Sequence, residues 1–287
     1  MPFAWRRHWC VVHTRSELRE LLQAHRLRLT KRLGQTYLVD ARIASRLLGA
    51  CRFSSDDRVV EIGAGLGALT LPLAHMVRQV VALEVDAGIC EVLRARVSAL
   101  PQVEVRCEDV LTVDWSLYAG WQVIGMIPYH ITSPILVALS EATAHLADIW
   151  LGMQREVARR LSAAPGTKAY GRLTVLAQYR WEVKELVRIP RQHFFPVPAV
   201  ESSWVRLSPR ATPVAVDDEA LFFAVVKAAF SQRRKTLQNC LGELEQPALD
   251  RSQVTAALER AGLEPRIRGE QLSLDAFARL SNSISRC

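Results

Sequence analysis

The sequence lacks the features that mark membrane, secreted and metal-stabilised proteins. Its longest apolar runs, such as Val80–Leu83, fall far short of the roughly 20 residues that cross a bilayer. The N-terminus has no apolar segment followed by a cleavage site, so nothing indicates a secretory signal. The six cysteines are scattered without a Cys-x-x-Cys pair, as is typical of reduced thiols in the cytosol. We therefore expect a soluble, cytoplasmic protein without a structural metal.

Internal repeats and low-complexity tracts are also absent, and the composition is that of a folded globular protein. Hydrophobic residues make up 49% of the 287 residues and charged residues 23%, which excludes disorder as the main state. The 37 lysines and arginines outnumber the 29 aspartates and glutamates, which gives a net charge of +8. This excess indicates a polyanionic partner such as a nucleic acid.

The hydrophobic pattern predicts two successive architectures. From about residue 58 the order of elements is βαβ, which predicts a doubly wound, mostly parallel α/β sheet. After the segment 208–213 only helical patterns follow, which predicts a small all-α C-terminal domain. We divide the chain into an N-terminal extension with a helix at 1–29, an α/β domain at 30–209 and a helical domain at 210–287. The expected strands are Arg58–Ile62, Gln79–Leu83, Val103–Cys107, Gln122–Gly125 and Asp148–Leu151, with Trp181–Arg188 and Glu201–Leu207 closing the sheet edge.

A glycine-rich segment lies where the first predicted strand gives way to its helix. Glu61–Ala68 reads Glu-Ile-Gly-Ala-Gly-Leu-Gly-Ala, and glycines at such a turn let the backbone approach a ligand beside free helix N–H groups. Glu84 ends the second strand, 21 residues after Gly63, where a carboxylate is able to hold both ribose hydroxyls of a nucleoside. This layout fits a nicotinamide dinucleotide as well as S-adenosylmethionine. The alternative is that the glycines serve only a tight turn.

Two later segments narrow the choice. Asp109 follows the third strand at the same sheet edge, where its carboxylate is placed to accept a hydrogen bond from an adenine amino group. The fourth strand runs directly into Met126–Tyr129, which reads Met-Ile-Pro-Tyr. This segment resembles the Asn/Asp-Leu/Ile-Pro-Tyr/Phe motif of the rRNA adenine N6,N6-dimethyltransferase family. The resemblance covers residues 30–285, nearly the whole chain.

Further blocks support the resemblance independently. The segments that match family motifs are Leu33–Asp40, Tyr170–Gln178, Phe194–Ser202 and Phe230–Leu237. The last of these resembles the small-subunit branch of the family, which modifies two adjacent adenosines in the 3′-terminal hairpin of small-subunit rRNA. Related macrolide-resistance enzymes act on large-subunit rRNA and match this segment less well.

The resemblance implies an S-adenosylmethionine site without a metal. Gly63, Glu84 and Asp109 would hold the methionine end, the ribose and the adenine of the cofactor, while Thr36 and Leu38 close over it. The complete set of cofactor-binding residues implied in this way is Gln35, Thr36, Leu38, Glu61, Gly63, Gly65, Glu84, Asp109 and Met126.

The resemblance also implies a catalytic loop. Its residues are Met126, Ile127, Pro128 and Tyr129, together with Phe194. The target adenine would be flipped out of its helix and stack between Tyr129 and Phe194, since N6 is inaccessible in a paired helix. Ordinary core packing of the two rings is the alternative.

Position 126 departs from the family pattern. In the family, the motif's Asn or Asp oxygen and a backbone carbonyl accept hydrogen bonds from the N6 hydrogens, but this chain has Met126. A thioether is a weak acceptor, and the loss of one preorganised acceptor costs on the order of 10²–10³ in rate. Thr36 and Tyr37 likewise replace the usual Asn-Phe.

Clustered basic residues predict the contact with RNA. They are Lys31, Arg32, Arg233, Arg234 and Lys235, and they lie before and after the predicted site in the sequence. We interpret them as phosphate contacts to a structured RNA; the alternative is a solvated helix face. The expected partner is small-subunit rRNA or the immature small subunit, bound by a monomer away from any membrane.

The predicted function is S-adenosylmethionine-dependent N6,N6-dimethylation of two adjacent adenosines in small-subunit (16S) rRNA during ribosome biogenesis. Two rivals remain open because of Met126. One is a catalytically impaired family member that acts as an RNA-binding ribosome-assembly factor. The other is a methyltransferase redirected to another amine.

Overall fold

The predicted parallel sheet is present and lies in the first of two units. The structure is a computed structural model that describes residues 14–27, 36–211, 214–232, 234–244 and 246–286. The first unit takes its described residues from Met1–Ala158 and Lys184–Pro209, and the second from Arg159–Val183 and Arg210–Cys287. The predicted residues Lys31, Arg32, Gln35 and Arg233 lie outside the described residues.

The sheet has seven strands in the order β4-β3-β2-β5-β6-β9-β7. The five strands from β4 to β6 are parallel, and β9 runs antiparallel to β6. The short strands β1 and β8 form a separate antiparallel pair. The predicted doubly wound, mostly parallel fold is therefore confirmed. The strands are β1 (Tyr37–Leu38), β2 (Arg58–Ile62), β3 (Gln79–Glu84), β4 (Val103–Cys107), β5 (Gln122–Met126), β6 (Ile149–Gln154), β7 (Trp181–Ile189), β8 (Phe194–Phe195) and β9 (Ser202–Pro209).

Burial on both faces explains the composition of the central strands. Val59, Val60 and Ile62 on β2 and the whole run Val80–Leu83 on β3 are buried, as is typical of parallel strands covered by helices on each side. The connections turn in opposite directions from β2 and β5, which lie side by side at the centre. In open α/β sheets this reversal opens a ligand crevice at the carboxyl ends of the strands.

The helices begin at well-formed caps. Thr14 opens α1, since its hydroxyl accepts from Glu17 N while the Glu17 carboxylate accepts from Thr14 N. Asp40 and Asp86 likewise accept backbone N–H groups at the starts of α2 and α4. No described helix is long and apolar enough to cross a membrane. The helices are α1 (Arg15–Ala24), α2 (Ala41–Ala50), α3 (Thr70–Leu73), α4 (Ala87–Val97), α5 (Thr132–Glu141), α6 (Arg155–Leu161), α7 (Arg172–Arg180), α8 (Glu219–Ala229), α9 (Leu237–Leu241), α10 (Arg251–Arg260) and α11 (Leu274–Ile284).

The second unit has its own core and begins earlier than the predicted boundary at residue 210. Phe222, Leu258 and Phe277 are fully buried in one apolar cluster that also contains Tyr170 and Val175. The Tyr170 hydroxyl donates to the carbonyl of Leu272 at 2.7 Å. Because these contacts bind 159–183 to the C-terminal helices, the units differ from the predicted domains 30–209 and 210–287.

The N-terminal helix belongs to the first unit rather than to a separate extension at 1–29. Leu18 and Leu22 of α1 are buried in one cluster with Val39 and Leu66. Its apolar face thus covers the segments that precede and follow β2.

Candidate active site

One cavity at the carboxyl ends of the central strands collects the described residues that the sequence singled out for catalysis and cofactor binding. Residues from four parallel strands meet there because these ends lie at one edge of the sheet. No cluster of three potential metal ligands occurs among the residues that the structure describes. The walls of the cavity include Thr36, Leu38, Glu61, Gly63, Gly65, Glu84, Asp109, Met126, Ile127, Pro128, Tyr129 and Phe194.

The glycine turn after β2 brings backbone close to the end of β5. Gly63 and Gly65 have φ values of +68° and +54°, which glycine adopts without strain. A β-carbon at position 63 would lie 3.3 Å from Met126 O, and one at position 65 would lie 3.0 Å from the ring of Tyr37. The turn therefore leaves a narrow space that side chains would fill.

The carboxylate of Glu84 is held in place by backbone N–H groups. Its Oε2 accepts from Gly65 N at 2.9 Å, and its Oε1 accepts from Val85 N at 3.0 Å and Asp86 N at 3.1 Å. Burial raises the pKa of Glu84, and these hydrogen bonds oppose the rise. The carboxylate is thus oriented toward the cavity by the fold itself.

Glu61 is a buried carboxyl group on the wall of the same cavity. It is 2% exposed, and its Oε2 has no hydrogen-bond partner among the described residues. Burial raises the pKa of Glu61 to about 8; Thr70 opposes this shift and the nearby Glu84 carboxylate adds to it. A buried polar atom without a partner is costly, so the cavity offers a ligand an acceptor or a proton at this point.

Asp109 lies at the exposed end of the cavity. Its Oδ1 accepts from Leu111 N at 3.0 Å and caps the short 3₁₀ turn Val110–Thr112. This hydrogen bond fixes the carboxylate at the mouth, where a planar group entering beside β4 would meet it.

The loop after β5 places the backbone carbonyl of Ile127 on the cavity wall. Ile127 N donates to Gly152 O at 3.1 Å, and Pro128 O accepts from Ile131 N and from the Thr132 hydroxyl, each at 3.3 Å. By contrast, Ile127 O accepts no hydrogen bond from the described part of the chain. The Ile127 carbonyl therefore remains available to a ligand.

Two aromatic rings border the cavity near this carbonyl. Tyr129 is half-buried, and its hydroxyl shares a 2.6 Å hydrogen bond with the Ser202 hydroxyl at the start of β9. Burial raises the pKa of Tyr129, with Ser202 opposing, so the ring stays neutral. Phe194 is 1% exposed and pairs through β8 with Leu38 on β1. Phe194 therefore belongs both to the core and to the cavity wall.

Sequence reasoning missed several residues of the cavity. Leu18 reaches it from α1, which the sequence assigns to the extension, and no local pattern signals this contact. Tyr37 lies within the matched block Leu33–Asp40 and borders the cavity between Thr36 and Leu38, so its position was the available signal. Burial and the Glu84 carboxylate hold the pKa of Tyr37 far above its ordinary value, and its hydroxyl therefore stays protonated.

Of the basic residues predicted to contact RNA, those that the structure describes lie in the second unit. Arg234 and Lys235 are exposed. They precede α9, which begins at Leu237. Their exposure is consistent with solvent or with a bound polyanion.

Comparison with known proteins adds relatives over almost the whole chain. A sequence model described as ribosomal RNA adenine dimethylase matches residues 26–286. A relative from Geobacillus thermodenitrificans, named Ribosomal RNA small subunit methyltransferase A, is 38% identical over 283 residues, which are 95% of this chain and 97% of the relative. A protein of the same name from Moorella thermoacetica is 40% identical over 267 residues, which are 88% and 92% of the two chains.

Solved structures share the fold. The crystal structure of the 23S rRNA methyltransferase ErmE is 29% identical, with a TM-score of 0.66 and coverage of 87% of this chain and 99% of that chain. A dimethyladenosine transferase from Plasmodium falciparum has a TM-score of 0.72 at 23% identity and covers 83% and 94% of the two chains. The resemblance read from the motifs is thus confirmed, and this chain belongs to the ribosomal RNA adenine dimethylase family.

Proposed function

We propose that this chain transfers methyl groups from S-adenosylmethionine to N6 of two adjacent adenosines in the 3′-terminal hairpin of small-subunit rRNA. The observation that carries the proposal is that twelve motif residues named from the sequence line one cavity in a member of this family. The small subunit is chosen over the large one because the curated relatives are named for it. The ribosomal substrate implies a cytoplasmic activity.

The cavity fits S-adenosylmethionine, because Glu61 offers a buried atom without a partner and the glycine turn forms a cradle that a side chain would fill. When bound, the cofactor supplies a methyl group activated on a sulfonium. Glu84 would hold the ribose hydroxyls with its preoriented carboxylate, and Asp109 would accept from the adenine amino group. The turn at Gly63 would receive the methionine end.

The target adenine stacks between Tyr129 and Phe194 after it leaves its helix. The 2.6 Å hydrogen bond to the Ser202 hydroxyl holds the Tyr129 ring in place before RNA binds. The free carbonyl of Ile127 accepts a hydrogen bond from N6–H and stabilises the charge that develops on N6. Transfer would form the bond between N6 and the methyl carbon as the methyl–sulfur bond breaks, and N6 would then lose a proton to solvent. The chain's contribution is alignment.

The two rivals raised by Met126 are disfavoured. The relatives that span most of the chain carry the methyltransferase name, and the backbone of Ile127 offers an acceptor that does not require an oxygen in the side chain at position 126. The exposed Arg234 and Lys235 are proposed phosphate contacts.

Methyl transfer to purified subunits tests the choice of substrate. Unmodified small and large ribosomal subunits are incubated separately with the protein and methyl-labelled S-adenosylmethionine, and the labelled nucleosides are identified by mass spectrometry. We expect N6,N6-dimethyladenosine in small-subunit rRNA alone. Label in the large subunit would contradict the proposed substrate, and label on another amine would contradict the reaction.

A further inference from the structure

The thioether of Met126 occupies the place where residue 152 would carry its side chain. The two residues are partners in the parallel register of β5 and β6. A β-carbon built on Gly152 would lie 2.2 Å from Met126 Sδ, 2.5 Å from Met126 Cε and 3.4 Å from the Trp204 ring. Carbon contacts are optimal at about 3.5–4.0 Å, so no other residue at position 152 permits this conformation of Met126.

The thioether of Met126 packs toward the protein core rather than toward the cavity. Met126 borders the cavity, whereas neither Gly152 nor Trp204 is among the described residues that line it. Trp204 is fully buried, and Met126 packs against the cluster that contains it. The long apolar side chain is therefore drawn over Gly152 and toward Trp204, and the end of β5 presents its backbone to the cavity.

We propose that Gly152 is a positioning residue for methyl transfer, because it gives Met126 a place outside the volume that the target amine needs. This inference rests on the proposed function. With the thioether over Gly152, N6 reaches the Ile127 carbonyl without steric obstruction. Gly152 also anchors the start of the catalytic loop, since its carbonyl accepts from Ile127 N at 3.1 Å.

The second methyl transfer depends on this space more than the first. After the first transfer N6 carries a methyl group, and the amine must be accommodated with that added bulk beside the end of β5. A thioether displaced from Gly152 therefore obstructs N6-methyladenosine more than adenosine. The expected signature is arrest at the monomethylated product, which general destabilisation would not produce.

The test is a double-mutant cycle with Gly152→Ala, Met126→Ala and the combined variant. We expect Gly152→Ala to lower the single-turnover rate on unmodified small subunits on the order of 10- to 100-fold and to accumulate N6-methyladenosine. Binding of S-adenosylhomocysteine by Gly152→Ala should stay near wild type. In the combined variant the shortened side chain removes the clash, and dimethylation should return to the level of Met126→Ala alone.

Gly49→Ala is the matched control, because a β-carbon on Gly49 in α2 meets nothing within 4 Å; it should behave as wild type. Full dimethylation by Gly152→Ala, or a combined variant no better than Gly152→Ala, would overturn the proposal. If Gly152→Ala fails to fold, recovery of folding and dimethylation in the combined variant supports the proposal, and failure of both overturns it. An inactive wild type contradicts the proposed function instead.

Discussion

Replacement of Glu61 by glutamine should remove a pH dependence from the stability of the first unit. Burial raises the pKa of this carboxyl to about 8 from an ordinary 4.5. In the unfolded chain the group is solvated and ionises near the ordinary value. Between these two values the folded protein binds one proton more than the unfolded chain, so its stability falls as the pH rises. Below the unfolded pKa and above the folded one, Glu61 adds no slope.

The magnitude follows from the proton difference. One proton bound preferentially by the folded state changes the free energy of unfolding by about 1.4 kcal/mol per pH unit. From about pH 5.5 to about pH 7.5, ionisation of Glu61 in the unfolded chain thus lowers the free energy of unfolding of the wild type by about 3 kcal/mol. Glu61→Gln keeps the shape of the side chain and carries no titrating proton. Its stability relative to wild type should therefore grow by that amount over the same interval.

Urea unfolding followed by tryptophan fluorescence measures the difference, with wild type and Glu61→Gln compared at each pH. Taking the difference cancels the other titrating groups, which the two proteins share. Glu91→Gln removes an exposed carboxyl on α4 and serves as the control that should follow wild type. Parallel stability curves for wild type and Glu61→Gln would refute the reasoning, because they would mean that Glu61 is already ionised in the folded protein.

Three further predictions concern ligands. Asp109→Ala should weaken S-adenosylhomocysteine binding, measured by calorimetry, by about 1.5–3 kcal/mol through one lost charge-assisted hydrogen bond. NAD should not raise the melting temperature of the wild type. Stabilisation by NAD would contradict the cofactor assignment. Tyr129→Ala should lower kcat/KM for the RNA by a factor equivalent to about 1–3 kcal/mol of transition-state free energy. Tyr129→Phe keeps the ring and should lose little of this activity. Equal losses in the two variants would argue against stacking. Changing Arg233, Arg234 and Lys235 to Ala should make the slope of log affinity against log salt shallower, by about 1 for each phosphate that is no longer neutralised. Filter binding measures this slope. An unchanged slope would identify these residues as a solvated surface.

The central strands were readable from the sequence because burial on two faces leaves apolar runs such as Val80–Leu83, whereas β4, at the sheet edge without a buried residue, alternates apolar and charged residues. The bounds of β2 and β4 coincide with the predicted Arg58–Ile62 and Val103–Cys107. Helix α3 is only four residues long, because the chain after Leu73 closes in turns in which His75 N donates to Pro72 O. The helices α2, α5, α6 and α7 were missed. So were β1 and β8, which at two residues each are too short to show a period.

The residues of the candidate site also fall into those that the sequence marks locally and those that depend on the fold. The place of Glu84, Asp109 and Tyr129 on the cavity wall could be predicted because strand ends and motifs mark them locally. The hydrogen bond of Tyr129 to Ser202 and the packing of Met126 over Gly152 join residues far apart in the sequence. Such contacts depend on which strands become neighbours, and spacing along the chain carries no signal for them. The same holds for Leu18, whose place on the cavity wall follows from the packing of α1.

The central claim is that the cavity at the carboxyl ends of the strands carries out dimethylation of two adjacent adenosines. The most direct measurement is mass spectrometry of the 3′-terminal hairpin fragment, cut from unmodified small subunits after incubation with the protein and S-adenosylmethionine. The account predicts two adjacent N6,N6-dimethyladenosines with wild type and a large loss of both with Tyr129→Ala. Unmodified adenosines, from a wild-type protein that binds both S-adenosylmethionine and the subunit, would contradict it.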